Sequence, residues 1–322
     1  MRGAVIRDYL IPAVLTPFAR DGTLALSKVE RQAAQLHVDG VRAVFVGGTT
    51  GEFSSLTTEE RLALAERWLR VGREMDWTVL IHVGANCLAD SCTMARQAQK
   101  LGAAGIAMLS PHYFRPASAE ALIACCAQVA ASAPETPFYY CDIPTWTGVN
   151  FPIAEWIEAA YERIPNFAGV KYTHADLLSF QWLLQACGGQ LQVFYGMDEH
   201  LLAAWVLGGQ AAVGSGYNFA ARLFYRMLQA AEKGDLITAR QEQRRAARLI
   251  HKMTSLGYLA SAKELLRLRG VDLGPVRLPL QNLSADQAAE LRRFVVAEGV
   301  ENFWDSTPGR SDDQSQPTDV RL

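Results

Sequence analysis

The chain has 322 residues, half of them hydrophobic, and a formal net charge of −2. This length accommodates either two average domains or one α/β barrel, and the apolar content suffices for a large buried core. A charge so close to zero excludes a strong attraction to nucleic acid or anionic membranes. The one basic stretch, from Arg240 to Lys252, is interrupted by apolar residues at helical spacing, which favours the solvated face of a helix. We expect no nucleic-acid partner and no membrane partner.

Cysteine and histidine spacing excludes further classes of protein. The six cysteines are scattered and form no CxxC pair, which is typical of reduced thiols rather than of a disulfide framework. The histidines show no HxxxH or HExxH spacing, so we expect no metal site. Arg7 and Asp8 interrupt the short apolar stretch at the N-terminus and Pro12 breaks it, which argues against a secretory signal. Together these features predict a cytoplasmic protein.

Short apolar segments rich in Val, Ile, Phe and Tyr recur along the chain, each followed by a longer amphipathic segment. This alternation predicts parallel strands joined by right-handed helical crossovers. Ser27, Thr58 (followed by Glu59 and Glu60), Ser118 and Asp176 are expected to cap the helices that begin beside them. The predicted strands are 9–15, 41–46, 78–83, 105–109, 137–143, 167–172, 191–195 and 211–214.

Eight strand–helix units favour a closed (β/α)8 barrel, a TIM barrel, over a long open sheet. The absence of a GxGxxG or GxxxxGK[ST] motif argues against the open sheets that bind nucleotides. After the eighth strand only helices are predicted, at 220–233, 236–256, 259–268 and 285–297. The expected organisation is a barrel with the active site over 1–234, a C-terminal helical extension over 235–305, and a tail over 306–322 whose polar composition is typical of disorder.

In such a barrel the active site lies where strands end and the following loops begin. The second strand ends in Gly47-Gly48-Thr49-Thr50-Gly51-Glu52, where backbone amides and two hydroxyls could hold a carboxylate. An ordinary polar turn before the next helix explains these residues equally well.

The sixth predicted strand ends in Lys171, which follows apolar residues and has no carboxylate within three positions. A lysine at a strand end is usually a solvent-facing charge. Inside a barrel mouth, however, desolvation would lower its pKa and make its amine nucleophilic. A lysine that forms an imine with a carbonyl compound requires this property.

Polar residues also follow the seventh and eighth strands, among them Asp198, Glu199 and Ser215. The two carboxylates could bind several hydroxyls of a sugar-like chain. Equally, they could serve only the first turn of the next helix, where acidic residues are favoured.

These segments together resemble the N-acetylneuraminate lyase and dihydrodipicolinate synthase superfamily, from about Ile11 through Asn218. The resemblance rests on the Gly48-Thr49-Thr50-Gly51-Glu52 loop and on the Gly169-Val170-Lys171 and Gly214-Ser215 strand ends. Three further segments look most similar to the lyases: Tyr195-Gly196-Met197-Asp198-Glu199, Lys171-Tyr172-Thr173, and Ile143-Pro144 with Thr147-Gly148-Val149. The synthases carry an arginine where this chain has Trp146, which argues against the synthase.

The resemblance implies a role for each matching position. Lys171 would form the imine with the 2-oxo carbon of the substrate, without a cofactor. Thr49 and Thr50 would hold the substrate carboxylate, and Thr49 would also belong to a hydroxyl relay. Tyr113 matches a catalytic tyrosine that the family lends to a neighbouring subunit, which implies a homo-oligomer, a dimer of dimers. The positions that would bind the polyhydroxyl end of a sialic acid are Thr173, Gly196, Asp198, Glu199 and Ser215.

One position departs from the family pattern. The general acid/base tyrosine of the family lies three residues before Pro144, and this chain has Cys141 there, followed by Asp142 where Asn or His is usual. The thiol could move a proton, since its ordinary pKa is below that of a phenol, but its side chain is much shorter. Tyr139 lies on the same strand face, roughly 6.6 Å deeper. Cys141, Tyr139 and a water molecule are therefore the three candidates for this role.

The expected function is that of an aldolase-type lyase, which cleaves a 2-oxo sugar acid such as N-acetylneuraminate to pyruvate and an aldehyde. One alternative is a relative with the same imine, either a 2-keto-3-deoxy sugar acid aldolase or dehydratase or an enzyme similar to 4-hydroxy-tetrahydrodipicolinate synthase. Another is a non-catalytic protein that binds 2-oxo acids and lost turnover with the tyrosine.

Overall fold

The computed structural model describes Ile6 and residues 9–304, and within them eight parallel strands form one sheet. The strands are β1 (Leu10–Pro12), β2 (Ala43–Val46), β3 (Thr78–His82), β4 (Gly105–Leu109), β5 (Phe138–Asp142), β6 (Phe167–Tyr172), β7 (Gln192–Tyr195) and β8 (Ala211–Gly214). From β2 to β8 each strand pairs with the next one in the chain, and β8 pairs with β1. The Val14 amide then donates to the Phe45 carbonyl, 2.9 Å away, which closes the ring. The predicted (β/α)8 barrel is confirmed.

Helices follow the strands in regular alternation. Those before the end of the eighth unit are α1 (Val29–Val38), α2 (Thr58–Glu74), α3 (Leu88–Lys100), α4 (Ala119–Ala131), α5 (Pro144–Thr147), α6 (Ile153–Arg163), α7 (Leu177–Gln185), α8 (Leu201–Val206) and α9 (Tyr217–Glu232). The chain continues with α10 (Leu236–Leu256), α11 (Tyr258–Leu268) and α12 (Ala285–Ala297). None of the helices between residues 9 and 304 is long and apolar enough to cross a lipid bilayer.

Local side-chain chemistry explains where several helices begin. Ser118 and Asp176 accept hydrogen bonds from backbone amides of α4 and α7, as predicted. The cap of α2 is Thr57 rather than Thr58, because Thr57 and Glu60 bond reciprocally in a capping box. The prediction for Ser27 was wrong. This residue lies inside a short 3-10 turn, and α1 starts after Lys28 without a side-chain cap.

Strand side chains alternate between two buried environments, as the period of a strand requires. Leu80, Tyr139 and Cys141 belong to a cluster inside the barrel. Ile81 and Tyr140, each one residue along, belong to a larger cluster that includes the helices. The first strand is shorter than predicted because the chain changes partner after it, bonding to β8 and then to β2.

The C-terminal helices pack on the outside of the barrel. The buried residues of α10, among them Ala239, Ala246 and Leu249, recur at helical spacing, so its basic side chains lie on the other faces. The structure begins α9 at Tyr217, three residues before the predicted start, and α11 at Tyr258, one residue before it. The division of the chain at residue 234 stays a prediction, and the predicted tail over 306–322 lies outside the described residues.

Candidate active site

Lys171 and Cys141 lie side by side near the carboxyl ends of neighbouring strands. They are register partners of β6 and β5, and the Lys171 ammonium lies 5.4 Å from the centre of the Phe45 ring inside the barrel. Among the described residues Lys171 forms no ion pair. Burial lowers the pKa of its amine, an effect that the nearby Cys141 and Asp198 partly oppose. The site therefore favours the neutral, nucleophilic amine.

The Cys141 side chain is buried, and burial raises the pKa of its thiol to about 11 despite the charge of Lys171. Tyr139 points elsewhere. Its hydroxyl donates to Oε1 of Gln192, 3.0 Å away, and its ring lies against Gly105; both contacts are at the first residues of their strands. The Tyr139 phenol thus lies toward the amino-terminal end of the barrel, away from Lys171.

The loop from Gly47 to Glu52 is held from the barrel side at both ends. Nδ1 of His82 lies 2.9 Å from the Gly47 carbonyl, and the buried Thr16 hydroxyl donates to the Gly51 carbonyl over 2.6 Å. A Cβ at Gly51 would lie 3.2 Å from both the Gly47 backbone and the Val14 carbonyl oxygen, so a larger residue there would have to displace the backbone of the turn. Between these anchors the half-buried Thr49 and Thr50 make no side-chain hydrogen bond within the described chain. Their hydroxyls are available to an anion.

His82 is neutral in this arrangement. Burial and the positive charge of Arg61 hold the pKa of His82 well below its usual range. A neutral ring that donates from Nδ1 to the Gly47 carbonyl satisfies that carbonyl, while Arg61 donates to the backbone carbonyls of His82 and Gly84, 2.8 and 2.9 Å away. The imidazole thereby fixes one end of the threonine loop.

Glu52 is fixed by residues of the C-terminal region. It adopts a left-handed backbone conformation with φ of 56°, and its fully buried carboxylate pairs with the Lys263 ammonium of α11 at 2.8 Å. The other carboxylate oxygen accepts from the Arg277 amide at 2.9 Å. Lys263 also donates to the Pro275 carbonyl. This strained residue persists because the surrounding bonds determine its position.

The polar residues after β6, β7 and β8 come together at the same end of the barrel. A Cβ at Gly196 would lie 2.1 Å from the Thr173 hydroxyl, so only glycine allows this close approach. Asp198 is buried and accepts from the Gly216 amide at 2.7 Å. Burial raises the pKa of Asp198 to about 6. Asp198 thus ties β7 to the start of α9. It also lies in the first turn of the short helical segment Asp198–His200, where it makes no side-chain cap bond.

Glu199 and Ser215 complete this group. Glu199 is half-buried and has no hydrogen-bond partner in the described chain. The Ser215 hydroxyl lies 2.6 Å from that of Tyr258 at the start of α11. Thr173, Gly196, Asp198, Glu199, Ser215 and Tyr258 together form what we call the polar cluster.

Tyr113 lies apart, in the loop after β4. Its side chain is 79% exposed and packs edge-on against Phe114, with ring centres 5.2 Å apart. The side-chain oxygen of Asn86 accepts from the amides of His112 and Tyr113, which fixes the loop. Within this one chain, Tyr113 is therefore a rim residue with a free aromatic face.

Sequence reasoning missed the roles of His82, Lys263 and Tyr258. Glu52 belongs to the motif on which the resemblance rests, which was a reason to look for a basic residue that pairs with it. Lys263 and Tyr258 carry no comparable signal, because their partners lie far away in sequence. Among the described residues no group of three or more His, Cys, Asp or Glu side chains is placed to hold a metal ion.

Comparison with known proteins shows to which family this fold belongs. The sequence matches the dihydrodipicolinate synthetase family over residues 8–298, and the chain belongs to this family. N-acetylneuraminate lyase of Rattus norvegicus is 39% identical over 284 residues, which are 87% of this chain and 89% of that protein. The structure of N-acetylneuraminate lyase from Proteus mirabilis is similar with a TM-score of 0.88 at 32% identity, covering 91% of this chain and 99% of that one.

A prophage protein of the dihydrodipicolinic acid synthase family from E. coli K12, solved in complex with pyruvate, is also similar. Its TM-score is 0.84 at 26% identity, over 92% of this chain and 100% of that one. The family resemblance seen in the motifs is confirmed. The chain is an enzyme of the aldolase type, a carbon–carbon lyase of a family that works through a lysine Schiff base.

Replacing Lys263 by Met tests the anchor of the threonine loop. The change leaves the Glu52 carboxylate buried without its partner, which should cost roughly 3–5 kcal/mol of unfolding free energy. Lys252→Met is the matched control, because Lys252 pairs with Glu290 at the surface and should cost less than about 1 kcal/mol. Urea unfolding monitored by circular dichroism measures both. Equal losses in the two variants would contradict a special role of Lys263.

Proposed function

We propose that this enzyme cleaves a 2-oxo sugar acid of the N-acetylneuraminate type to pyruvate and an aldehyde through an imine on Lys171. The observation that carries the proposal is the position of this amine. It lies half-buried, and among the described residues it forms no ion pair. On one side is the loop with Thr49 and Thr50, whose hydroxyls make no bond within the same residues, and on the other is the polar cluster. One end suits a carboxylate, the centre a carbonyl carbon, and the other end a hydroxylated tail.

The chemistry would begin with attack of the neutral Lys171 amine on the 2-oxo carbon and loss of water, giving an iminium ion. Removal of the proton from the C4 hydroxyl then breaks the C3–C4 bond. The bond's electron pair moves into the iminium, which becomes an enamine, and C4 leaves as the aldehyde. Protonation at C3 and hydrolysis release pyruvate and restore the lysine. Thr49 and Thr50 would hold the carboxylate throughout.

Two lines of evidence support this substrate class. N-acetylneuraminate lyases are 32% to 39% identical to the chain over about nine-tenths of its length, and a more distant relative was solved with pyruvate. The polar cluster adds several hydroxyl and carboxylate groups beyond Lys171. Shorter 2-keto-3-deoxy sugar acids would engage fewer of these groups.

A second candidate function follows from Cys141. The buried thiol keeps its proton at neutral pH, because its pKa is raised to about 11, and Tyr139 is engaged at the other end of the barrel. A site that forms the imine but lacks the proton acceptor would bind 2-oxo acids without cleaving them. This alternative shares the imine and differs only in turnover.

We also propose a homo-oligomer arranged as a dimer of dimers. Tyr113 is exposed at the rim with Phe114 beside it, and a neighbouring subunit would cover this aromatic pair. In that arrangement the Tyr113 hydroxyl would enter the site of the neighbouring subunit.

Pyruvate with borohydride should attach a reduced adduct to Lys171, detectable by peptide mass spectrometry and absent from Lys171→Met. Only the neutral amine reacts, and burial lowers its pKa from the ordinary 10.5. The trapping rate should therefore rise with pH and reach half its maximum below pH 10.5. An adduct on another lysine, or a midpoint at or above that value, would contradict the proposal.

Cys141→Tyr should accelerate cleavage of the sugar acid by roughly 10²–10⁴-fold, the usual contribution of a positioned acid/base, while pyruvate trapping stays unchanged. Pyruvate release is measured by a coupled assay. Cys141→Ala and Cys141→Ser are the companions. If Ala abolishes release but not trapping, the thiol itself moves the proton. If no variant cleaves any acid of a sialic and 2-keto-3-deoxy panel, the binding function is the correct one.

Mixing two inactive variants tests the shared site. Tyr113→Ala and Lys171→Met should each lose cleavage, and hybrid oligomers formed by unfolding and refolding them together should regain it. In a hybrid, one site combines an intact Lys171 with the intact Tyr113 of the other subunit. Sedimentation velocity of the wild type should show an oligomer at micromolar concentration. A monomer, or hybrids without activity, would exclude the shared site.

A further inference from the structure

A residue from outside the barrel contributes to the polar cluster. The phenolic oxygen of Tyr258 lies 2.6 Å from the Ser215 hydroxyl, although the two residues are 43 positions apart. Tyr258 is the first residue of α11, and Gly257 before it has φ of 109° and ψ of 100°. This backbone conformation suits glycine and permits the sharp turn between α10 and α11. The turn brings the Tyr258 ring to the end of β8.

The Tyr258 phenol lies near two carboxylates as well as Ser215. Burial raises its pKa well above the ordinary 10.0, and the negative charges of Asp198 and Glu199 raise it further. Tyr258 therefore keeps its proton at neutral pH and remains a hydrogen-bond donor. Glu199, without a hydrogen-bond partner in the described chain, remains an acceptor.

Donors and acceptors at this spacing suit a chain of hydroxyl groups, each of which both donates and accepts. When Tyr258 donates to Ser215, the proton of Ser215 is free for a substrate oxygen. A neighbouring substrate hydroxyl can donate to Glu199. Pyruvate has three carbons and no hydroxyl, so it offers this end of the site nothing to bind.

We propose that Tyr258 is a specificity-determining residue, which selects 2-oxo acids with a hydroxylated tail by orienting the Ser215 hydroxyl toward that tail. The inference rests on the proposed function and deepens it, because it assigns part of the substrate preference to a helix outside the barrel. Tyr258 acts on binding of the tail and takes no part in bond cleavage.

Tyr258→Phe removes the hydroxyl and keeps the ring. We expect the KM for N-acetylneuraminate to rise roughly tenfold, the effect of one lost hydrogen bond in a half-buried site, with kcat nearly unchanged. Half-saturation of pyruvate trapping should not move. Ser215→Ala should have a similar effect, and the double variant should be no worse than the more damaging single change, since the two hydroxyls act as one unit. Tyr225→Phe is the control, because the Tyr225 hydroxyl bonds the Gly40 carbonyl on the protein surface.

The possible outcomes separate this inference from the proposed function. If wild type cleaves the sugar acid and Tyr258→Phe leaves its KM unchanged, the inference alone is wrong. Equal changes in sugar-acid KM and pyruvate half-saturation would likewise overturn it, since Tyr258 would then be structural. The wild type could also form a borohydride adduct with N-acetylneuraminate without cleaving it. In that case the same comparison between wild type and Tyr258→Phe is made by measuring adduct yield against the concentration of N-acetylneuraminate. If only pyruvate forms an adduct, both the sugar-acid function and the role of Tyr258 are wrong.

Discussion

Closure of eight parallel strands is the constraint on which the rest of this structure depends. Parallel strands in a closed barrel put all their carboxyl ends on one face, so segments far apart in the chain meet there. The bond from Val14 to Phe45 completes the ring and places the Phe45 ring under the Lys171 amine. The lowered pKa of that amine follows from this geometry, because a barrel mouth buries the lysine and no carboxylate of the described residues forms an ion pair with it.

Helix α11 is tied to this face at two points. Lys263 holds Glu52 at the end of the threonine loop, and Tyr258, five residues earlier, holds Ser215 at the end of β8. One helix thus sets the position of both the carboxylate-binding loop and the polar cluster. A helical region that sequence patterns describe as an extension is, in the folded chain, part of the wall of the site.

The strands and the lysine could be predicted because residues close together in the sequence define them. Three strands, Gly105–Leu109, Phe167–Tyr172 and Ala211–Gly214, have the predicted bounds, since short apolar segments between polar turns define them. Lys171 could be selected because strand ends carry the chemistry in a barrel. The contacts of Tyr258, Lys263 and His82 could not, because they depend on tertiary closure rather than on spacing. The predicted caps of α1 and α2 were wrong for different reasons: α1 begins without any side-chain cap, and at α2 two adjacent threonines, Thr57 and Thr58, compete for the helix start.

For the proposed cleavage, pKa and geometry favour different residues as the proton acceptor. Asp198, with a pKa of about 6, and Asp142, with a pKa of about 7, are the carboxylates tuned nearest to neutral pH. Asp198, however, is held by the Gly216 amide and lies so close to Gly214 that a Cβ there would be 1.7 Å from its carboxylate. Asp142 is two residues after Tyr140 on β5, so its side chain points to the same face of the strand, toward the helices and away from the barrel interior. Geometry takes precedence over pKa in choosing a catalytic base. The group that accepts the C4 proton must therefore reach the reacting carbon beside Lys171, and neither Asp198, held at Gly216, nor Asp142, which points toward the helices, is placed to do so.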